Sequence, residues 1–186
     1  GMEGSRGDGS RARCDNAVVK RGSKIYGATT IGPNCIVGGE IKNSVFFGNS
    51  NKAHDGYIGD SVIGEWCNMG AGTSNSNIKN NASSVMLWTP NGSVNVGLKC
   101  GVMMGDYSRT AINTSINTGT VIGVCCNVFG SGLTPKYIPC FSWGSEGVER
   151  YKFDKAVSDI QNWKQLKKQS ITESEVTILR HIFKHY

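Results

Sequence analysis

No run of apolar residues approaches the roughly 18 that a membrane span needs, and no apolar signal-peptide core follows Met2. Both absences point to a soluble, cytoplasmic protein that engages no membrane. No two cysteines form a C-x-x-C pair; the seven are an odd number, and adjacent Cys125 and Cys126 suit neither a zinc site nor an ordinary disulfide. Reduced intracellular thiols are the expectation, with no metal. Aromatic residues make up only 9% of the chain and charged residues 18%, against 25 glycines, which suits an all-β fold with many tight turns. The net charge of +6 is too weak a signal to indicate nucleic acid, and no such partner is expected. Many cations fall at Lys20/Arg21/Lys24 and in Lys164–Lys168, the second group reading as a solvated helix face.

At 186 residues the chain has room for one sizeable core and an appendage. Gly1-Met2 reads as a vector-derived scar, and residues 3–16, small and polar, are set aside; 1–24 as a whole reads as scar, tail and lead-in.

What is there is a repeat of six. Met104, Thr110, Ile116, Ile122 and Val128 share one phase, and Ser108, Thr114, Thr120, Cys126 and Gly132 each follow by four. The same frame recurs as Ile31-Gly-Pro-Asn-Cys35 and Ile63-Gly-Glu-Trp-Cys67, running on through Asn68 to Thr73, with Ile58–Val62 a five-residue version. A period of six fits neither an α-helix nor a long alternating strand. It fits a left-handed parallel β-helix with three flat faces, each hexapeptide laying one short strand. The leading aliphatic fills the interior, and the small residue tucks beside a corner. Roughly six coils, stacked at about 4.8 Å, would stand about 30 Å tall. Cys35, Cys67 and Cys126 occupy the small-residue place, where a thiol serves as a compact hydrophobe.

The coil is expected over 25–142, with Ile63, Met69, Ile116 and Ile122 pointing inward. Two departures break it. Residues 83–99 read as two strands around Pro90-Asn91-Gly92, a hairpin thrown out of one corner. Residues 143–186 read as a helical extension: one helix near 154–169, its apolar face marked by Phe153, Val157, Ile160, Trp163 and Leu166, and a second opened by the capping-box pattern Thr172–Glu175, with Val176, Leu179, Ile182, Phe183 and Tyr186 as its stripe. These helices are expected to close the open end of the prism or to contact a neighbour.

The polar and titratable residues concentrate in Lys52-Ala-His54-Asp-Gly-Tyr57-Ile-Gly-Asp60 and the hexads that follow. Here the sequence resembles the hexapeptide-repeat domain of the bifunctional N-acetylglucosamine-1-phosphate uridyltransferase/glucosamine-1-phosphate acetyltransferase family, and more closely still the related sugar-1-phosphate nucleotidyltransferases that carry this domain. The likeness runs over about 30–142 and is strongest over 40–77. It implies a homotrimer using acetyl-CoA as co-substrate to acylate a sugar phosphate or nucleotide sugar. The family's catalytic histidine falls on His54, its sugar-phosphate lysine on Lys42 of Glu40-Ile41-Lys42, and its substrate tyrosine and asparagines on Tyr57, Asn68 and Asn77. Its Ile-Gly-Ala-Gly-Thr appears as Met69–Thr73, so Ala71 and Gly72 are the candidate acyl-donor contacts, with an amide near Gly70–Gly72 facing the thioester oxyanion.

The chemistry suits these residue types. An acceptor amine or hydroxyl must lose a proton, and imidazole is the side chain with the right ordinary pKa. A lysine holds a phosphate as a point charge, while phenol and carboxamides orient the acceptor. The pattern departs from the family on the donor side: a tyrosine position is Ile78 and a serine position is Ile112. The alternative is therefore a trimerising, regulatory β-helix of a sugar-1-phosphate nucleotidyltransferase with a vestigial acyl site. A metal-dependent carbonic anhydrase of this fold would need three placed histidines, and only His54 lies in the coil. His181 and His185 belong to the terminal helix and carry no expected chemistry.

Overall fold

The computed structural model describes residues 11–186, so the scar read at Gly1-Met2 lies outside the described residues. The chain winds as a left-handed β-helix. Its first face stacks seven parallel strands, Arg11–Arg13, Thr29–Ile31, Val45–Phe46, Val62–Ile63, Met103–Met104, Val121–Ile122 and Tyr137–Ile138. The second stacks Val18–Val19, Ile36–Val37, Asn51–Lys52, Asn68–Met69, Arg109–Thr110, Asn127–Val128 and Ser142–Trp143, and Glu149–Arg150 closes its last edge antiparallel. The third carries Lys24–Tyr26, Glu40–Lys42 and Tyr57–Gly59, then Ser74–Asn75 and Ser115–Ile116.

The alternation within each two-residue strand makes the core. Ile63, Met69, Ile116 and Ile122 point inward and are buried, as their phase requires. Each strand offers only one or two inward side chains, so neighbouring coils must complete the core. Cys35, Cys67 and Cys126 are buried free thiols, and burial pushes those of Cys67 and Cys126 up to about 12, well away from reactivity.

The coil starts earlier than position 25. Strands at Arg11–Arg13 and Val18–Val19 already pair in parallel with Thr29–Ile31 and Ile36–Val37, which adds a coil to the six expected. The strict hexads end at Val128: Gly132 lies exposed in a turn, and Thr134 takes the buried corner, its hydroxyl 3.2 Å from that of Thr120. The hairpin forms as its turn residues require, Met86–Leu87 pairing with Val94–Asn95. It leans on the coil by stacking Trp88 on Tyr137, ring centres 3.5 Å apart.

The helices α1 (Phe153–Gln165) and α2 (Glu173–His185) do not close an end. They pack along the corner between the first and second faces. That corner holds a left-handed residue in every coil: Asn16, Asn34, Asn49, Trp66, Tyr107, Cys125 and Phe141. Asparagine tolerates this backbone well, whereas a larger residue costs about 1–3 kcal/mol there. Trp66, Tyr107, Cys125 and Phe141 offset that cost by forming a second apolar cluster with Phe153, Ala156, Ile160 and Leu179 of the helices. Lys164 and Lys167 are consequently not a solvated face. Lys164 is buried against Trp66 and bonded to Glu175 at 2.5 Å, and Lys167 donates to the carbonyls of Asn34 and Asn49 at 2.7 and 2.8 Å. The capping box on Thr172 and Glu175 forms in full, while Leu166 and Tyr186, expected on the apolar stripes, stay exposed.

Candidate functional site

The third face carries most of the residues in question. Within Glu40–Lys42 and Tyr57–Gly59, Ile41 and Ile58 point into the core, so Glu40, Lys42 and Tyr57 point out. Tyr57 then folds along the sheet over Gly59, where a Cβ would come within 2.1 Å of its hydroxyl oxygen. That hydroxyl accepts from Asn77 Nδ2 at 3.0 Å, and the same amide donates to Asp60 Oδ2 at 2.5 Å. The other Asp60 oxygen accepts from Asn43 Nδ2 at 3.3 Å. Asn43, Asp60 and Asn77 thus form a polar ladder beside Tyr57, each 17 residues from the next. Burial, with Asp60 and Glu40 adding, raises the Tyr57 phenol, which stays protonated at neutral pH.

The face is prised open just here. Between Tyr57–Gly59 and Ser74–Asn75, side chains replace the backbone ladder: Tyr57 N–H donates to Ser74 Oγ at 3.0 Å and Gly59 N–H to Asn75 Oδ1 at 2.8 Å. Above lies a second pair, Tyr26 hydroxyl donating to Glu40 at 2.5 Å, with the Lys42 ammonium 5.7 Å from the Tyr26 ring centre. The Glu40 bond holds the Tyr26 phenol up at about 12. An open cleft of about 320 Å³ lies among Gly22, Lys24, Glu40, Asp55, Gly56 and Tyr57.

His54 stands at the corner leading onto this face, in the turn between Asn51–Lys52 and Tyr57–Gly59. Its side chain is exposed, and among the described residues its ring makes no hydrogen bond. The turn beneath it is fixed from inside: the ammonium of Lys52, a fully buried side chain, donates to the carbonyls of His54 and of Asp55, the latter at 3.0 Å. Ala71 and Ile112 take the corresponding places in the next two coils, as the pairing of Asn51, Asn68 and Arg109 dictates.

Lys42, Tyr57 and Asn77 therefore share a face or its edge, with His54 at the adjoining corner. Asn68 does not join them; it points outward from the second face, in register between Asn51 and Arg109. The Gly70–Gly72 corner is less open than its composition suggests. Gly72 N–H is bonded to Asp55 O at 2.9 Å and Gly70 N–H to Thr110 O at 3.1 Å, which leaves the Ala71 amide of the three. Sequence reasoning missed Asn43 and Lys52 as supports. The first was signalled by its spacing from Asp60 and Asn77; the second carried no signal, because a lysine in a strand reads as exposed.

No family model matches the chain. Over 112 residues it is 34% identical to the bifunctional protein GlmU of Methanocaldococcus jannaschii, covering 59% of this chain and 28% of that one. It is 39% identical over 84 residues to GlmU of Methanococcus aeolicus, covering 45% and 20%. It is 35% identical over 91 residues to the bifunctional sugar-1-phosphate nucleotidylyltransferase/acetyltransferase of Sulfurisphaera tokodaii, covering 48% and 23%. The chain spans no more than 28% of the length of these relatives. Among solved structures, the polySia-specific acetyltransferase NeuO overlaps 87% of this chain and 94% of its own, at 13% identity and a TM-score of 0.40. The chain is thus similar over part of its length to these bifunctional proteins, and its coil fits their hexapeptide-repeat domain.

Proposed function

We propose that the chain is an acyl-CoA-dependent acetyltransferase domain whose acceptor is a sugar phosphate or nucleotide sugar, working as a homotrimer. The observation that carries the proposal is the ordered polar set Tyr57–Asn77–Asp60–Asn43 on the face that also bears Lys42, one corner from His54. Ordered dipoles on a rigid face orient an acceptor before reaction, and orientation is a large part of acyl transfer.

His54 takes the proton from the acceptor amine or hydroxyl as that atom attacks the thioester carbonyl, and the coenzyme leaves as a thiol. Tyr57 and Asn77 hold the acceptor, and Lys42 neutralises its phosphate. Asp60, bonded on each oxygen to an asparagine amide, is assigned the orienting of Asn43 and Asn77. With Gly70 and Gly72 amides engaged in the ladder, no oxyanion role is assigned to them. Ala71 lies beside that corner and remains the donor-side candidate.

The test is release of free thiol from acetyl-CoA against a panel of amino-sugar phosphates and their nucleotide sugars. Turnover with at least one acceptor is expected, and His54→Ala should lower kcat by about 10²–10⁴-fold with the fold intact. The exposed Ile112 beside Ala71 favours the second reading, a trimerising module with a vestigial acyl site. Wild-type protein inert toward every acceptor would make that reading the better account.

A further inference from the structure

Lys52 occupies an inward place on the second face, in register with Val37 and followed in the next coil by Met69. Both neighbours are apolar and buried, and an aliphatic residue would serve the core better there. Instead the prism encloses an ammonium, fully buried and in no ion pair among the described residues. Its three protons meet three main-chain carbonyls: His54, Asp55 at 3.0 Å and Gly38 at 3.5 Å. Such a group is expensive to bury, and replacing it by a well-packed apolar side chain is often neutral or stabilising. A lysine at this place is therefore explained by what it holds.

What it holds is the turn 53–56. The carbonyls of His54 and Asp55 are bonded to the buried ammonium, while the His54 side chain is exposed on the turn whose next residues, Asp55 and Gly56, line the cleft beside Tyr57. Gly39 packs against the same turn: a Cβ there would lie 2.9 Å from His54 O and 2.7 Å from Gly56 O. Burial lowers the Lys52 ammonium from its ordinary range, with Asp55 opposing.

We propose that Lys52 is a positioning residue: it anchors the His54 turn from inside the coil and so fixes the direction of the imidazole. The proposal rests on the reading of His54 as general base, but its first test does not. Gly72 N–H and Glu40 N–H donate to Asp55 O and Gly56 O, so exchange of these two amides reports whether the turn is held.

The experiment compares wild type with Lys52→Met, an apolar side chain of similar length. The expected result is a melting point at or above wild type, with Gly72 and Glu40 amide exchange about tenfold faster or more. Where transfer is measurable, kcat should fall at least about tenfold while KM for both substrates stays within about twofold. A large loss of melting point would overturn the proposal by making Lys52 a structural core member. So would a stable variant with wild-type exchange at Gly72 and Glu40, or faster exchange with unchanged kcat. If wild type transfers no acetyl group, the functional reading fails by itself, and the exchange result alone decides whether Lys52 anchors the turn.

Discussion

Gly59 and Tyr57 show how one missing side chain shapes the site. A methyl group at 59 has no room under the Tyr57 ring, so Gly59→Ala should lift the phenol away from Asn77 without disturbing Ile58 in the core. The loss of one or two acceptor hydrogen bonds, about 0.5–1.5 kcal/mol each, should raise acceptor KM about three- to tenfold. Steady-state kinetics with a circular-dichroism check would show this, and an unchanged KM would place Tyr57 outside the acceptor's reach. Lys42→Ala tests a different link. A charge on a non-reacting phosphate favours ground and transition states alike, so KM for a phosphorylated acceptor should rise about tenfold at constant kcat, and an unphosphorylated analogue should not notice. At this scale Tyr57 and Asn77 were legible through the family resemblance, whereas Asn43 and Asp60, each 17 residues from the next member of the ladder, were marked only by a spacing that the hexad frame conceals. Lys52 was not legible, because only the winding of the coil turns that side chain inward.

Among the elements, the corner under α1 and α2 carries its own sequence mark. Four coils put Trp66, Tyr107, Cys125 and Phe141 where the earlier coils put asparagine, each directly ahead of the small residue of its hexad. A run of bulky side chains in a left-handed place is tolerable only under a cover, and the helices are that cover. The amphipathic stripes correctly indicated two helices but not what they would meet, since periodicity says which face is apolar and nothing of its partner. Glu175 ties the pair down, taking bonds from Lys164 at 2.5 Å and the Tyr107 hydroxyl at 2.7 Å. Burial works against its ionisation, but Lys164, the Thr172 amide and Tyr107 outweigh it and hold the carboxyl at about 2, against an ordinary 4.5. Because the unfolded chain binds the proton more readily, this contribution is complete above about pH 4.5 and is lost as pH falls toward 2. Melting points followed by Trp fluorescence should therefore drop across that window in wild type, and Glu175→Gln should flatten the drop while melting lower at pH 7. The corners themselves tolerate little bulk. Thr120 is fully buried and bonded to Pro135 O at 3.1 Å, so Thr120→Leu should cost about 1–3 kcal/mol in urea unfolding. Thr114 is only partly buried, so the same change there should cost less.

On the scale of the whole molecule, the positions of Asn68 and Tyr57 pose the decisive question. Asn68 projects from the second face and Tyr57 from the third, so one prism cannot bring both to one acceptor except around its corner. A closed threefold assembly would solve this by setting one subunit's second face against another's third, so that each site is built from two chains. The family resemblance assigns both residues to the acceptor, and that assignment commits the active species to be an oligomer. Light scattering should give a trimer across micromolar concentrations, and a clean monomer would argue against a complete site. Complementation is sharper. Asn68→Ala and Tyr57→Phe should each lose most activity alone. Co-expressed in equal amounts, they assemble mixed trimers in which about a quarter of the interfaces pair an intact Asn68 with an intact Tyr57. Activity should return to about that fraction of wild type, far above either parent. If the mixture performs only as the average of its parents, the two residues act within one chain or not on the same acceptor, and the site is confined to the third face and its His54 corner.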